Sequence, residues 1–365
     1  MAVPDDRGLE VALLEEVPSR APAPPVERRP ARWPWAVAAA AVLAALALLR
    51  TGDGGGEPGA AEPDLPDRLV TAGDLQWAVR VPGVAGRHPA IAGDTVVVAT
   101  DDGRLVGLGR GRGDQRWTAP AAGPDPTEPV AFGPYIVTAS GATMTAVLAA
   151  GGSPGWTMAL PSPVELKPAV AGSRLVVVAD DGRVWGVDGH RGRVLWELAV
   201  APPVPLPPVA DDGTAVVAGG RGGLVVDVQR GTGTALEGEQ IAGMTIVQDA
   251  PYVLQGEAPI GDVDAVAETV VIGLQDGTVR GLVRGEERWS RRASTGITGV
   301  LAIRHDVVVT TLDGWLHRLE GATGRRISSL RSGPGAKTTA NPGPGPWLFT
   351  VDDGDVVAGL RDPAA

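Results

Sequence analysis

The sequence predicts an all-β protein: a seven-bladed β-propeller preceded by one transmembrane helix. Two observations predict the propeller. Of 365 residues, 85 are Gly or Pro, against roughly an eighth in an average chain. Such a chain turns too often for long helices, yet 44% of it is hydrophobic, gathered in short Val-rich runs that can build a core. From about residue 74 onward one unit recurs. It reads PAVAGSRLVVVADDGRVWGVDGHRGRVLW over 168–196 and PAIAGDTVVVATDDGRLVGLGRGRGDQRW over 89–117. A third observation, a 17-residue uncharged run at 33–49, predicts the helix.

Each unit holds a short strand, a Val/Leu/Ile run, a tight turn, another short strand, a Gly-containing loop and a strand with Trp. The turn glycines are Gly103, Gly141, Gly182, Gly222, Gly277, Gly314 and Gly354, spaced 38, 41, 40, 55, 37 and 40 apart. Five follow an Asp, the pairing that suits a two-residue type I′ hairpin turn. The tryptophans mark the same period independently. Trp77, Trp117, Trp156 and Trp196 are 40, 39 and 40 apart; the series continues through Ala235 or Leu236, Trp289, and Ile327 or Ser328. Two rulers of seven marks each predict seven four-stranded blades. Trp77, Trp117, Trp156, Trp196 and Trp289 are expected on outer strands, each packing an apolar plate on the order of 200 Å² between blades.

Trp77 precedes the first turn glycine and no Trp follows Gly354, so the seventh blade should be split between 75–81 and 347–360. The 55-residue step marks an insertion, expected within 237–262. Seven blades are preferred over an eight-bladed ring that uses this insertion as a degenerate blade, because it lacks an Asp-Gly turn. A β-sandwich array is a further alternative.

The run 33–49 (WPWAVAAAAVLAALALL) is near the lower limit for spanning a bilayer. Trp33 and Trp35 stand at its edge, where amphipathic rings favour the headgroups. Arg28, Arg29 and Arg32 precede it, and five acids follow within 51–67. That asymmetry predicts a cytoplasmic N-terminus and an extracytoplasmic propeller. An uncleaved anchor is favoured over a cleaved signal, since the small residues around Gly59 and Ala61 lie well past the apolar run. The expected organisation is a Pro-rich cytoplasmic tail (1–32), a transmembrane helix (33–49), a flexible acidic linker (50–73) and the propeller (74–365).

Composition excludes several functions. The chain has no Cys, which removes disulfides, thiolate metal sites, thiol nucleophiles and lipoprotein anchoring. Its net charge is −11, its only lysines are Lys167 and Lys337, and no basic stripe exists, so nucleic acid is not an expected partner. His88, His190, His305 and His317 lack metal-pair spacing and read as solvated loop residues. The Asp pairs at 101–102, 180–181, 211–212 and 352–353 read as turn chemistry, not calcium loops. No phosphate loop or nucleophile elbow is present. No metal and no catalytic residue is expected.

The segment 186–196 (GVDGHRGRVLW) resembles the tryptophan-docking motif of the pyrroloquinoline-quinone (PQQ)-like propeller repeats: Asp188, Gly192 and Trp196 match it, Gly186 stands for Ala and Arg191 for Thr. Ala146, Gly152 and Trp156 match in the preceding copy, Gly113 and Trp117 in the one before, and Thr323-Gly324 keeps the Thr-Gly pair although Ser328 replaces the Trp. The resemblance implies the fold. That family includes quinoprotein dehydrogenases and a non-enzymatic lipoprotein of the outer-membrane β-barrel assembly machinery, both typically eight-bladed. The dehydrogenases hold PQQ and calcium over a disulfide of adjacent cysteines, which this Cys-free chain cannot form. No cofactor is therefore expected, and no enzyme activity.

A site, if present, belongs where the innermost strands begin, since these positions converge around the central channel. They are Arg87-His88, Glu128, Lys167, Leu206-Pro207, Asp264 and Thr298. One reading is a solvated rim; the sharper one is a ligand or peptide face. The expected function is a non-catalytic scaffold in the inner membrane, single-pass, binding an envelope protein or peptide. A small-ligand sensor is the alternative, and a PQQ-dependent oxidoreductase a second one, opposed by the absence of Cys.

Overall fold

The computed structural model describes residues 75–84, 88–236, 241–247, 250–255, 260–293, 295–332, 334–340 and 348–361. The expected tail, transmembrane helix and linker lie outside the described residues, as do Arg87 and Trp347. Among the described residues, no helix is long and apolar enough to cross a membrane.

Seven four-stranded antiparallel sheets are present, and one two-stranded sheet. Blades 1 to 6 span 90–120, 130–159, 169–199, 209–236, 260–292 and 297–331. Blade 7 is split: Lys337–Ala340, Leu348–Val351 and Val356–Leu360 pair in order, and Leu75–Arg80 adds the outermost strand. The split matches expectation, with one correction. The innermost strand starts at Lys337, ahead of the expected 347, because it reads KTTA and lacks the apolar signature of the other copies.

Residue choice follows position in the blade. Second strands such as Thr95–Ala99 (TVVVA) are buried along their whole length, since both faces meet a neighbouring blade. Their β-branched side chains suit a pleated surface. Outermost strands alternate, as in Gln115–Pro120, where Trp117 and Ala119 are buried and the others exposed. The apolar clusters accordingly span adjacent blades. One joins Phe132, Val137 and Met144 of blade 2 to Leu175, Val177 and Trp185 of blade 3. Another joins Val96, Val98 and Val106 of blade 1 to Phe349, Val351 and Val357 of blade 7, closing the ring.

The tryptophans form a repeated latch. Each Nε1–H donates to a backbone carbonyl of the next blade: Trp77 to Arg110, Trp117 to Ala149, Trp156 to Gly189, Trp196 to Val228 and Trp289 to Gly321, all at 2.8–2.9 Å. Each indole lies between two small residues. In blade 3, Gly186 sits opposite Trp196 across the strand pair, and Gly231 of blade 4 presses on its other side. Gly192 is the socket for Trp156 of blade 2 and has φ +61, which a side chain would strain as well as crowd. Asp188 accepts from the backbone N–H of His190 and of Arg191 and pairs with the Arg191 side chain, which fixes the loop bearing that socket. A β-bulge follows the Gly186–Trp196 pair, and bulges recur at the equivalent place in blades 1, 2, 5 and 6.

Two seams lack the latch. In blade 4 the pair at the socket position is Val225 and Thr234, and no bulge occurs, so the register moves by one from the expected Ala235. In blade 6, Arg318 stands opposite Ser328, where other blades hold Gly and Trp. Its Nε donates to Asp306 at 2.7 Å, so a nearly buried ion pair occupies the volume.

The insertion folds as a hairpin, Ile241–Val247 with Ala250–Gln255. Its first strand packs against the innermost strands Val209–Ala210 of blade 4 and Ile260–Val266 of blade 5. The ring therefore has the seven four-stranded blades expected, and the insertion adds a two-stranded hairpin beside the innermost strands of blades 4 and 5 without forming an eighth blade.

The Asp-Gly turns also differ from expectation. In blade 1, Gly103 N–H donates to Thr100 O and Thr100 N–H to Arg104 O, which makes a three-residue loop ending in a left-handed Gly103, φ +81. A type I turn followed by such a glycine gives the same strand reversal as a type I′ pair. In blade 7 the left-handed residue is Asp355, φ +63, one past Gly354. Its carboxylate accepts from Val84 N–H at 3.0 Å and its carbonyl from Val81 N–H at 2.9 Å, tying the outermost strand's exit to the turn.

Candidate functional site: the central channel mouth

The innermost strands enclose a channel of about 870 Å³. His88, Glu128, Lys167, Leu206, Pro207, Asp264 and Thr298 all line it, so every described candidate converges as expected. Arg87 lies outside the described residues.

The chain's only histidine in the channel anchors one arc. His88 Nδ1 lies 3.1 Å from Thr338 O; a carbonyl only accepts, so Nδ1 carries the proton. Its backbone N–H donates to Glu128 Oε1 at 3.3 Å, and its Nε2 sits 4.0 Å from the same oxygen. Glu128 Oε2 is 3.6 Å from Lys167 Nζ. Blades 1, 2 and 3 are thus joined by one polar chain. Burial holds the His88 imidazole below its ordinary range; Glu128 opposes this, while Lys167 and Lys337 reinforce it.

The opposite arc is bound into the fold. Asp264 accepts from Ala265 N–H at 2.8 Å and from Ala302 N–H of blade 6 at 2.7 Å. Thr298 Oγ1 is 3.0 Å from Thr310 Oγ1 within blade 6. These two candidates line the channel while serving as strand connectors.

Lys337 is a channel residue that sequence reasoning missed. It opens the innermost strand of blade 7, and its Nζ donates to Thr298 O at 3.3 Å. The signal was available: it is one of two lysines in an Arg-rich chain. His317, expected in a solvated loop, is instead 8% exposed in a strand of blade 6, with Nδ1 2.8 Å from Ser329 Oγ. Ser329 is 4% exposed, so the pair is shielded from any substrate.

A family model described as outer membrane protein assembly factor BamB, a PQQ-like repeat model, matches residues 67–130 and 121–330. The chain belongs to this family. Solved structures agree on the fold. The BamB crystal structure from Moraxella catarrhalis superposes with a TM-score of 0.62 at 19% identity, covering 79% of this chain and 97% of that one. A computationally designed protein, Ika8, gives 0.64 at 17% identity, covering 79% and 99%. Sqt1 from Saccharomyces cerevisiae gives 0.57 at 11%, covering 80% and 99%. At these identities the likeness shows fold alone. No curated protein sequence is significantly similar to the chain.

The BamB-family assignment leaves the quinone question to the residues themselves. Among the described residues no group of three or more His, Asp or Glu is placed to hold a metal ion. Asp264 directs both oxygens at backbone N–H groups, and the chain has no Cys to form the disulfide floor. The donor set does not fit PQQ with calcium.

Proposed function

We propose that this BamB-family chain is a non-catalytic binding scaffold of the cell envelope, whose partner face is the channel mouth formed by blades 1 to 3 and 7. The observation that carries this is the convergence of His88, Glu128 and Lys167 from three successive blades into one polar chain at the rim of the channel. Blade packing is complete without that chain, because the Trp latches and apolar clusters hold the same three blades. Polar groups so gathered are available to a partner. In this reading segment 33–49 is an uncleaved anchor that keeps the propeller outside the inner membrane, raising its local concentration near membrane partners.

The test is affinity capture from detergent-solubilised membranes with mass spectrometry of the bound proteins. A partner held by the wild type should be lost from the His88→Ala, Glu128→Ala, Lys167→Ala triple variant, whose melting temperature should stay within a few degrees. Undiminished capture by the triple variant would place the partner elsewhere. Protease digestion of the propeller in spheroplasts, with the N-terminal tail protected, checks the topology.

A further inference from the structure

Both lysines of the chain line the channel, Lys167 from blade 3 and Lys337 from blade 7. In ring order they bracket blades 1 and 2, and therefore His88 and Glu128. Among the described residues that arc holds one carboxylate, and it is already shared: Glu128 meets Lys167 at 3.6 Å and the His88 N–H at 3.3 Å. Among the described residues, Lys337 donates to a neutral acceptor alone, Thr298 O. An ammonium has three N–H donors, and these contacts occupy one on each lysine. Among the described residues, two positive charges face one negative charge on this arc, in a protein of net charge −11. The acids elsewhere on the channel lie outside this arc: Asp211 in blade 4 accepts through Oδ1 from the backbone of its own blade, its buried Oδ2 having no partner among the described residues, and Asp264 in blade 5 accepts from its own and an adjacent blade.

A second observation is independent of charge. Thr338 also lines the channel and is 4% exposed, and its Oγ1 has no hydrogen-bond partner among the described residues. A buried hydroxyl left unpaired is destabilising, so an oxygen-bearing ligand at this spot would satisfy it. Lysine suits the task better than the arginine used elsewhere in the chain. A guanidinium would lock onto Glu128 through its planar fork, whereas an ammonium on a flexible stem turns toward an incoming oxygen.

We propose that Lys167, Lys337 and Thr338 form a carboxylate receptor, taking an acidic side chain or C-terminus of a protein partner into the channel mouth. This rests on the reading of the mouth as the partner face, and it names the chemistry that face selects.

Two lysines give a two-signal experiment. The full-length chain, labelled with ¹³C,¹⁵N-lysine and held in detergent micelles, is titrated at low salt with the peptide Ac-Glu-Glu-Glu-NH₂. Both lysine side-chain signals should move saturably, and Ac-Gln-Gln-Gln-NH₂ should leave them in place. Lys337→Met should weaken binding at least tenfold, read on the Lys167 signal. Should that variant melt early, Thr338→Val reads the loss of the hydroxyl at nearly constant volume, with a several-fold weakening expected. Stationary signals with the acidic peptide would overturn the receptor. Tighter binding of citrate or inorganic phosphate would overturn the assignment to a partner's carboxylate and identify a free anion. If Lys337→Met captures the membrane partner as well as wild type while the triple variant does not, the receptor falls and the partner face stands. If wild type captures nothing yet both signals titrate, the reverse holds.

Discussion

Gly186 and Trp196 show how strictly single residues are fixed here. A methyl group at Gly186 would stand 2.0 Å from the Trp196 indole, and one at Gly231 of the next blade would stand 2.4 Å from the same side chain. The ring has nowhere to retreat. Gly186→Ala should cost about 1–3 kcal/mol by overpacking, and Trp196→Ala about 3–5 kcal/mol by the cavity it leaves. Urea unfolding followed by circular dichroism measures both; a neutral Gly186→Ala would mean the socket is looser than its geometry. His88 gives a pH dependence of definite sign. Its folded pKa lies below the ordinary 6.5, so between those two values the unfolded chain binds the extra proton. Stability is then full above about pH 7.5 and declines as pH falls below 6.5 toward the folded value. His88→Gln should flatten the melting-temperature profile between pH 7.5 and 5; a profile equally steep in the variant would remove His88 as the cause.

At the scale of strands and blades, the latch makes the seams unequal. Blades 1, 2, 3, 5 and 7 each insert a Trp into the next blade, whereas blades 4 and 6 do not. Local opening follows the least apolar contact. Backbone amides of Thr232–Leu236 and Arg326–Arg331 should therefore exchange with deuterium faster than those of Gln115–Pro120 and Arg193–Ala199, read by mass spectrometry of peptic fragments. Uniform rates would mean that the Arg318–Asp306 pair and the apolar cluster around Leu316 and Leu348 replace the latch fully. Much of this was legible in the sequence, because a Trp and a Gly at fixed spacing carry a packing constraint that survives in the residue types. The hairpin at 241–255 was not, because a rudiment of two strands needs neither an Asp-Gly turn nor a Trp. Lys337 was missed for a related reason: the innermost strand of blade 7 faces the channel and reads KTTA, with no Val run to mark it. Conversely His88, Glu128 and Lys167 were found by counting back from each Val run, a positional rule that holds wherever the run exists.

For the whole molecule, closure depends on one strand from the N-terminal side. Leu75–Arg80 pairs with Val356–Leu360, and Trp77 reaches from it into blade 1. A chain beginning at residue 85 would leave blade 7 three-stranded, with an open edge at Val356–Leu360 and no latch to blade 1. Open edges template association, so this truncation should elute as oligomers or precipitate in size-exclusion chromatography, whereas a chain beginning at residue 70 should stay monodisperse. A monomeric, cooperatively melting 85–365 fragment would show that the blades close without this strand. The channel itself is shaped by backbone convergence that no local pattern announces, and for that reason its volume was not foreseeable from sequence. Its two lysines have a practical consequence. Primary amines are the targets of acylating reagents and most cross-linkers, and the propeller presents them nowhere but at the channel. Within the propeller, a reagent that ignores arginines will mark the mouth alone, so whatever becomes linked to a propeller lysine was standing at that opening when the bond formed.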